Sequence, residues 1–280
     1  MIWASNYTRL ACQTLFTLFF AGRDFAPLCI IDGVNIQDWL QQHYFNAVRE
    51  LGKAIAEYQN GSLLDSCVIG WDSLNEPNAG LLGIENLAQH SKDEQLKVGF
   101  MPTPFEAMRL GMGEELSIEN WKFSSTGPKR AGSVDINRRG KKAWLSPEEE
   151  EKDAEGRCKR WGWRRSSSWK LGVCIWALHG VWDVESEELL KPAYFHSISM
   201  KDGEAVDFGR DYWLPHWQAY AKVVRRCHTE AILFIHPPVF KIPPNIMGSS
   251  RELIKSRAVF STHFYDGVTL VTKHWVCLTH

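Results

Sequence analysis

The 280-residue sequence has neither a long apolar run nor an excess of charge of one sign. No run of about 18 consecutive apolar residues occurs, so the sequence predicts no helix that crosses a bilayer. Lysine and arginine together number 32, against 33 aspartate and glutamate residues, which leaves a net charge of -1. With no global positive field, the chain is not expected to bind nucleic acid or to be drawn to an anionic membrane.

Cysteine is sparse and follows no pattern. The seven cysteines are scattered and form no CxxC pair, which argues against a disulfide framework and against a zinc site. Residues 10–20 (LACQTLFTLFF) resemble the apolar part of a signal peptide, but they contain Gln13, Thr14 and Thr17 and lack a small-residue cleavage site. We therefore predict a buried helix there and an intracellular location, either cytoplasmic or vacuolar.

Tryptophan, in contrast, is abundant, with 13 copies. The indole ring is flat and carries one N–H, so it can stack on a sugar ring or cover a broad apolar ligand. Packing in the core is the more frequent use of any single tryptophan, and both interpretations stay open at this point.

Residues 7–58 have the pattern of two helices joined by a turn. The first is predicted to end near Phe20, where Ala21 and Gly22 follow. The second is predicted to start near Asn35, whose side chain can cap a helix N terminus, and to carry apolar residues at a helical period.

Three short apolar segments have the composition of parallel strands buried on both faces. They are residues 67–71, 231–235 and 258–265. Helical patterns at residues 211–228 and 251–257 precede the second and third of them. Alternation of strands and helices predicts an α/β fold built from parallel β/α units.

Residues 84–208 are long, rich in glycine and without a sustained period. Within them, residues 147–168 carry an acidic run and then a basic run, which predicts a solvated, mobile charged loop. We interpret residues 84–208 as an insertion, and residues 1–83 and 209–280 as parts of one body.

Polar clusters follow each of the three predicted strands, at residues 72–77, 236–238 and 263–267. In parallel α/β folds the working residues gather at the carboxyl ends of strands. Spacing alone leaves two alternatives for each candidate: Glu76 is either catalytic or a surface carboxylate, and His263 either lines a site or is a core imidazole. Adjacent residues such as Asn75 and Glu76 can serve one site only if the strand breaks before them, which Pro77 makes plausible.

Four segments in a fixed order carry a resemblance to a known family. They are residues 19–27 (FFAGRDFAP), 70–78 (GWDSLNEPN), 174–183 (CIWALHGVWD) and 263–270 (HFYDGVTL). The chain resembles the fungal glycolipid-cleaving branch of glycoside hydrolase family five, which contains endoglycoceramidase-related glucosylceramidases and steryl-β-glucosidases. The resemblance implies a (β/α)8 TIM barrel and a retaining β-glycosidase mechanism that needs neither a metal nor an organic cofactor.

The resemblance also implies roles for individual residues. Glu76 would be the acid/base carboxylate, and Asn75 would hydrogen-bond the 2-hydroxyl of the sugar. His263 and Tyr265 would line the glucose subsite, with Tyr265 placed to reach the nucleophile. A glycolipid or another β-glucoside would be the substrate, and membrane contact would be peripheral, through that lipid.

His179 and Trp182 belong to the third of the resembling segments. They could form a wall over the lipid part of the substrate, because a sterol or ceramide needs a wide apolar groove. The alternative is that they pack the insertion onto the rest of the fold.

The sequence departs from the family where the nucleophile is expected. The family places that glutamate on the strand after the HxYDG strand end, and no acidic residue follows Asp266 here. By this count the chain supplies about strands 4–6 of an incomplete barrel, with flanking helices and a long insertion, and contains no nucleophile. A non-catalytic glycolipid-binding remnant and a non-functional fragment are the alternatives to a glycosidase.

Overall fold

The computed structural model describes residues 8–58, 63–91, 97–124, 127–198, 203–238 and 241–263, together with 266, 269 and 273–275. The helices are α1 (Leu10–Phe25), α2 (Ile36–Ala56), α3 (Leu63–Ser66), α4 (Pro104–Gly111), α5 (Ile175–Leu178), α6 (Leu214–Cys227) and α7 (Met247–Ile254). The strands are β1 (Ile30–Ile31), β2 (Val34–Asn35), β3 (Gly70–Asp72), β4 (Gly99–Phe100), β5 (Glu115–Ser124), β6 (Gly127–Asn137), β7 (Ile232–Ile235) and β8 (Ala258–Phe260). The fold is therefore α/β, as the alternating pattern predicted.

The two N-terminal helices form as predicted, with one difference at the end of the first. Helix α1 continues past Gly22 to Phe25, although the backbone at Ala21 leaves the helical region. Helix α2 begins directly after Asn35, whose side-chain oxygen accepts a hydrogen bond from the Gln37 amide at 3.0 Å. That bond satisfies one of the amides that a helix N terminus leaves without an intrahelical partner, so the predicted cap is confirmed.

A three-stranded parallel sheet contains the strands that the apolar segments predicted. Its order is β3-β7-β8, so β7 is central. Gly70 in β3 lies opposite Ile232, and a Cβ atom at position 70 would collide with the backbone carbonyl of Ile232. The strands are shorter than predicted, since β3 covers three residues and β8 ends at Phe260.

Helix α6 and the residue that caps its C terminus, His228, hold the edge strand β3 in place through two side-chain contacts. The Tyr220 hydroxyl donates a hydrogen bond to the carbonyl of Asp72 at 2.5 Å. The indole nitrogen of Trp71 donates to Nδ1 of His228 at 3.2 Å, in a buried position. Burial raises the pKa of Tyr220, so its phenol stays protonated and remains a donor. These bonds fix the point where the chain leaves β3 towards Glu76.

The region between residues 84 and 208 is not irregular throughout. It contains an antiparallel sheet of order β4-β5-β6, with a long hairpin formed by β5 and β6 and a bulge between Glu119 and Trp121. The sequence prediction missed this sheet because β6 is exposed along most of its length. A strand without a buried face shows no alternation of apolar and polar residues, and alternation is the main sequence signal for a strand.

The sequence predicts a solvated loop at residues 147–168, but part of this segment is buried. The Glu150 side chain is 1% exposed and accepts two hydrogen bonds from the Arg165 guanidinium, at 3.2 and 3.0 Å. Arg165 also stacks against Trp163 and Trp169, at 4.9 and 4.5 Å from the ring centroids. Pairing makes burial of both charges tolerable, and sequence alone does not reveal such pairing. The mobility of this segment and the division into three regions stay predictions.

The (β/α)8 barrel and its incompleteness also stay predictions, because three parallel strands are compatible with other α/β folds. Within the described residues, no helix combines the length and the hydropathy needed to cross a membrane.

A buried histidine is enclosed by aromatic rings between α1, α2 and α6. His216 is 3% exposed and contacts Phe19, Phe20, Tyr44 and Phe45, with ring centroids 5.0 to 5.6 Å away. Among the described residues, neither of its ring nitrogens has a hydrogen-bond partner. Burial in this apolar site lowers the pKa of His216 from 6.5 to about 3.

This burial predicts that the fold loses stability in mild acid. The unfolded chain binds a proton at His216 below pH 6.5, whereas the folded chain does so only near pH 3. Stability should therefore be complete above pH 6.5 and fall by up to about 1.4 kcal/mol for each pH unit between those values. We expect His216→Phe to reduce the loss between pH 7 and pH 5, measured by urea denaturation.

The matched control is His43→Phe, because His43 lies on the exposed side of α2. Equal acid sensitivity of His216→Phe and the parent protein would contradict the prediction.

Candidate active site

Glu76 lies in the turn that follows β3, at the carboxyl end of the parallel sheet. Strand β3 ends at Asp72, so the chain has left the sheet before Asn75 and Glu76, as their joint use of one site requires. Glu76 has a φ of +46°, in the left-handed region that residues other than glycine rarely adopt. Its side chain is 11% exposed, whereas Asn75 is an exposed residue. The turn therefore buries one carboxylate next to an accessible amide.

His263 contacts Glu76 from the opposite edge of the sheet, since it follows β8 whereas Glu76 follows β3. It follows β8 by three residues, and its Nδ1 lies 2.9 Å from Oε1 of Glu76. The two residues are 187 positions apart in the sequence, so only the pairing of β3, β7 and β8 brings them together. When Glu76 is ionised, this distance corresponds to a charge-assisted hydrogen bond from the imidazole N–H to the carboxylate.

His236 is a third member of the cluster that the sequence analysis did not assign to the site. It follows the last residue of the central strand β7 and is 5% exposed. Its ring centroid lies 4.1 Å from that of His263, with the ring planes at 74°. The only sequence signal was its place at a strand end, before Pro237 and Pro238.

The charges around His236 act on it in opposite directions. Burial lowers the pKa of His236, and a positive charge on His263 lowers it further. The carboxylates of Asp72 and Glu76 oppose this shift but do not overcome it. His236 is therefore expected to be neutral near pH 7.

His179 and Trp182 lie elsewhere in the fold, around α5. Nδ1 of His179 lies 2.6 Å from the carbonyl oxygen of Ile175, and Nε2 accepts a hydrogen bond from the Leu28 amide at 3.1 Å. Burial lowers the pKa of His179, which fits a neutral ring that donates at one nitrogen and accepts at the other. Trp182 is 1% exposed and packs edge-on against Phe105 at 5.7 Å. The burial of Trp182 supports the packing alternative for that residue, and a wall over a lipid stays a prediction.

Tyr265, the remaining predicted site residue, lies outside the described residues, so its place relative to Glu76 stays a prediction. No group of three histidine, cysteine, aspartate or glutamate side chains arranged to hold a metal ion occurs in the described part of the chain. What the described cluster can do is hold, donate and accept protons at Glu76.

The packing of Trp182 is open to a direct test. Replacing a fully buried tryptophan by alanine removes its contacts and leaves a cavity, which costs about 3–5 kcal/mol. We expect Trp182→Ala to lower the free energy of unfolding by that amount in urea denaturation. The matched control is Trp161→Ala, since Trp161 is 61% exposed, and it should cost no more than about 1 kcal/mol. Unchanged stability of Trp182→Ala, with weaker binding of a steryl glucoside, would instead support the interpretation that Trp182 covers the lipid part of the substrate.

The left-handed backbone at Glu76 predicts an unusual order of stabilities. At an ordinary helical position alanine is more stable than glycine by about 1 kcal/mol, but in the left-handed region glycine avoids a penalty of about 1–2 kcal/mol. We therefore expect Glu76→Gly to be more stable than Glu76→Ala by about 1 kcal/mol, measured by chemical denaturation.

Both variants lose the same contact with His263, so the comparison isolates the backbone. The control pair is Glu252→Gly and Glu252→Ala in α7, where alanine should be the more stable. The same order at both positions would show that Glu76 carries no backbone strain.

Comparison with known proteins shows that the chain is similar to fungal glucosidases. The chain is 41% identical over 278 residues to a glucosylceramidase of Aspergillus fumigatus, and 39% identical over 279 residues to an ergosteryl-β-glucosidase of Saccharomyces cerevisiae. Each match covers 98% of the chain and 35% of the relative. The chain therefore spans about a third of the length of these relatives. No protein-family model matches it.

The same likeness holds in three dimensions. The fold matches a crystal structure of Cryptococcus neoformans sterylglucosidase 1 with tris, at a TM-score of 0.92 and 50% sequence identity. The match covers 99% of this chain and 37% of that structure. The resemblance to fungal glucosylceramidases and steryl-β-glucosidases that the motifs indicated is thus confirmed.

Proposed function

Because the chain is homologous over nearly its whole length to fungal glucosylceramidases and steryl-β-glucosidases, we propose that it carries the acid/base half of a retaining β-glycosidase site. The substrate would be a glycolipid with a β-glucosidic bond, either a steryl glucoside or a glucosylceramide. The remaining elements of the family-five resemblance, including the (β/α)8 barrel, belong to the same proposal.

The observation that carries the proposal is the contact between Glu76 and His263. A carboxylate that is 11% exposed lies at the carboxyl end of a parallel sheet, 2.9 Å from an imidazole nitrogen. In α/β enzymes this end of the sheet is where catalytic groups gather. A buried carboxylate in contact with a histidine is suited to exchanging a proton with a substrate.

The proposed reaction uses Glu76 twice. First, the protonated carboxyl group donates its proton to the glycosidic oxygen, so that the bond from this oxygen to the anomeric carbon breaks and the lipid alcohol leaves. As that bond breaks, a nucleophilic carboxylate forms a covalent bond to the anomeric carbon and so keeps the glucosyl group. The ionised Glu76 then takes a proton from water, whose oxygen attacks the anomeric carbon, so that the bond to the nucleophilic carboxylate breaks and glucose is released. His263 stabilises the ionised form between the two steps by donating its N–H.

Asn75 and Tyr265 would complete the glucose subsite with His263. The exposed amide of Asn75 precedes Glu76 directly, which suits a hydrogen bond to the 2-hydroxyl next to the anomeric carbon. A bond to this hydroxyl strengthens as the oxocarbenium-like transition state forms. Tyr265 would orient the nucleophile.

The nucleophile itself is the part that the chain would not supply. The last acidic residue is Asp266, whose carboxylate accepts hydrogen bonds from the amide and the hydroxyl of Thr269, at 3.1 and 2.6 Å. A carboxylate bound in its own turn is a poor candidate for attack on the anomeric carbon. A chain with the acid/base and no nucleophile could still bind the glucoside, which keeps the non-catalytic binding alternative in place.

A chimera tests the role of Glu76 without relying on the activity of the isolated chain. This chain would replace the matching 37% of Cryptococcus neoformans sterylglucosidase 1, which its fold matches closely. We expect Glu76→Gln in the chimera to lower kcat on a steryl glucoside about 100- to 10,000-fold. An aryl glucoside whose leaving group needs no proton should lose much less in the first step.

The control is Glu85→Gln, because Glu85 is exposed and near in sequence, and it should leave both substrates unaffected. Equal losses on the two substrates would remove the acid role. Glucose release by the 280-residue chain alone, abolished by Glu76→Gln, would instead show that the chain contains its own nucleophile.

A further inference from the structure

His236 occupies the position between the two segments that carry the acid/base pair. It follows β7, the central strand, while Glu76 follows β3 and His263 follows β8. The amide of Ser261 donates to the carbonyl of Ile235 at 2.9 Å, so the backbone leading to His263 is still bonded to the residue before His236. The side chain of His236 therefore reaches the cluster from the central strand, which is hydrogen-bonded on both sides.

The burial of the two histidines differs in a way that shows which one supports the other. The His263 side chain is 34% exposed, whereas His236 is 5% exposed. The ring centroids are only 4.1 Å apart, with the planes at 74°. The more accessible imidazole thus rests against a buried one in an edge-to-face arrangement.

The hydrogen bond to Glu76 does not by itself fix the plane of the His263 ring. It sets the position of one nitrogen, Nδ1, and does not by itself determine the tilt of the ring. A ring turned over would present a carbon atom to the carboxylate. Contact with the buried ring of His236 restrains this tilt and opposes such a turn, as neighbouring groups commonly do for catalytic imidazoles.

We propose that His236 is a positioning residue for the acid/base pair, which holds the His263 ring in the orientation that aims Nδ1–H at Glu76. The inference rests on the proposed function, because this orientation matters for hydrolysis only if Glu76 exchanges the proton.

The charge state of His236 fits this role. Burial and the nearby His263 lower the pKa of His236, against the opposing effect of Asp72 and Glu76. A neutral His236 does not compete as a cation for the Glu76 carboxylate, so His263 remains the donor. His236 then acts through the shape and edge of its ring, and an uncharged aromatic ring should replace it.

The test reads the His263 ring directly in the 280-residue chain, without substrate. Nitrogen-15 NMR of the histidine rings at pH 7.5 reports which ring nitrogen carries the proton and whether that proton is protected from exchange. In the parent protein we expect the Nδ1–H form of His263 with a protected proton. In His236→Val, which fits a strand end but is too short for the contact, that protected signal should be lost. In His236→Phe it should persist.

Controls and outcomes separate positioning from a general effect on folding. The matched control is His43→Val on the exposed side of α2, which should leave the His263 signal unchanged. A thermal melt of each variant verifies that it is folded. A protected signal in His236→Val would overturn the proposal, and so would its loss in folded His236→Phe, even if His236→Val did not fold.

The NMR experiment and the chimera experiment test different claims, so either can fail without the other. If Glu76→Gln does not lower the activity of the chimera but the NMR result is as expected, the proposed function is refuted and the positioning contact remains. The reverse combination would refute the positioning role alone.

Discussion

The pairing of β7 with its two parallel neighbours is the interaction on which the candidate site depends. Glu76 and His263 lie 187 residues apart, and they meet because β3 and β8 both pair with the central strand in parallel. Each pairing joins only three residues of each strand. Such short ladders contribute few hydrogen bonds, so the position of the strands must also be set from outside the sheet.

Two side chains of α6 supply that support. Tyr220 binds the end of β3 through the Asp72 carbonyl. Arg225 donates to the backbone carbonyls of Ala231, just before β7, and of Leu253, in the helix that leads to β8. Charged donors make stronger hydrogen bonds than neutral ones, so one helix ties together all three segments of the sheet. The geometry of the site therefore depends on long-range packing. A substitution that disrupts the packing of α6 should disturb the contact between Glu76 and His263.

The sequence predicted the parts of the fold that bury one kind of surface in a regular pattern. Burial and capping leave local signals in a sequence. These signals predicted the Asn35 cap, the apolar strands and the polar residues that follow the strands. The β5–β6 hairpin was not predicted, since β6 is exposed along most of its length and a bulge between Glu119 and Trp121 interrupts the pattern of β5. The burial of Glu150 depends on Arg165, 15 residues away, and no local pattern records such a pair. The contact of His236 with His263 was hidden for the same reason, because it exists only after the strands pair.

The backbone at Glu76 shows what the turn after β3 is built for. A left-handed glutamate costs stability that glycine or asparagine would avoid, and such strain persists where function requires the side chain in one direction. Here that direction leads to His263, so the turn favours the orientation of the carboxylate over stability.

A retaining site needs a second carboxylate about 5–5.5 Å from the first. Among the described strands β8 is an outer one, with Val259 48% and Phe260 45% exposed. In the proposed site, a carboxylate that follows a strand paired beside β8 would therefore lie on the His263 side of Glu76.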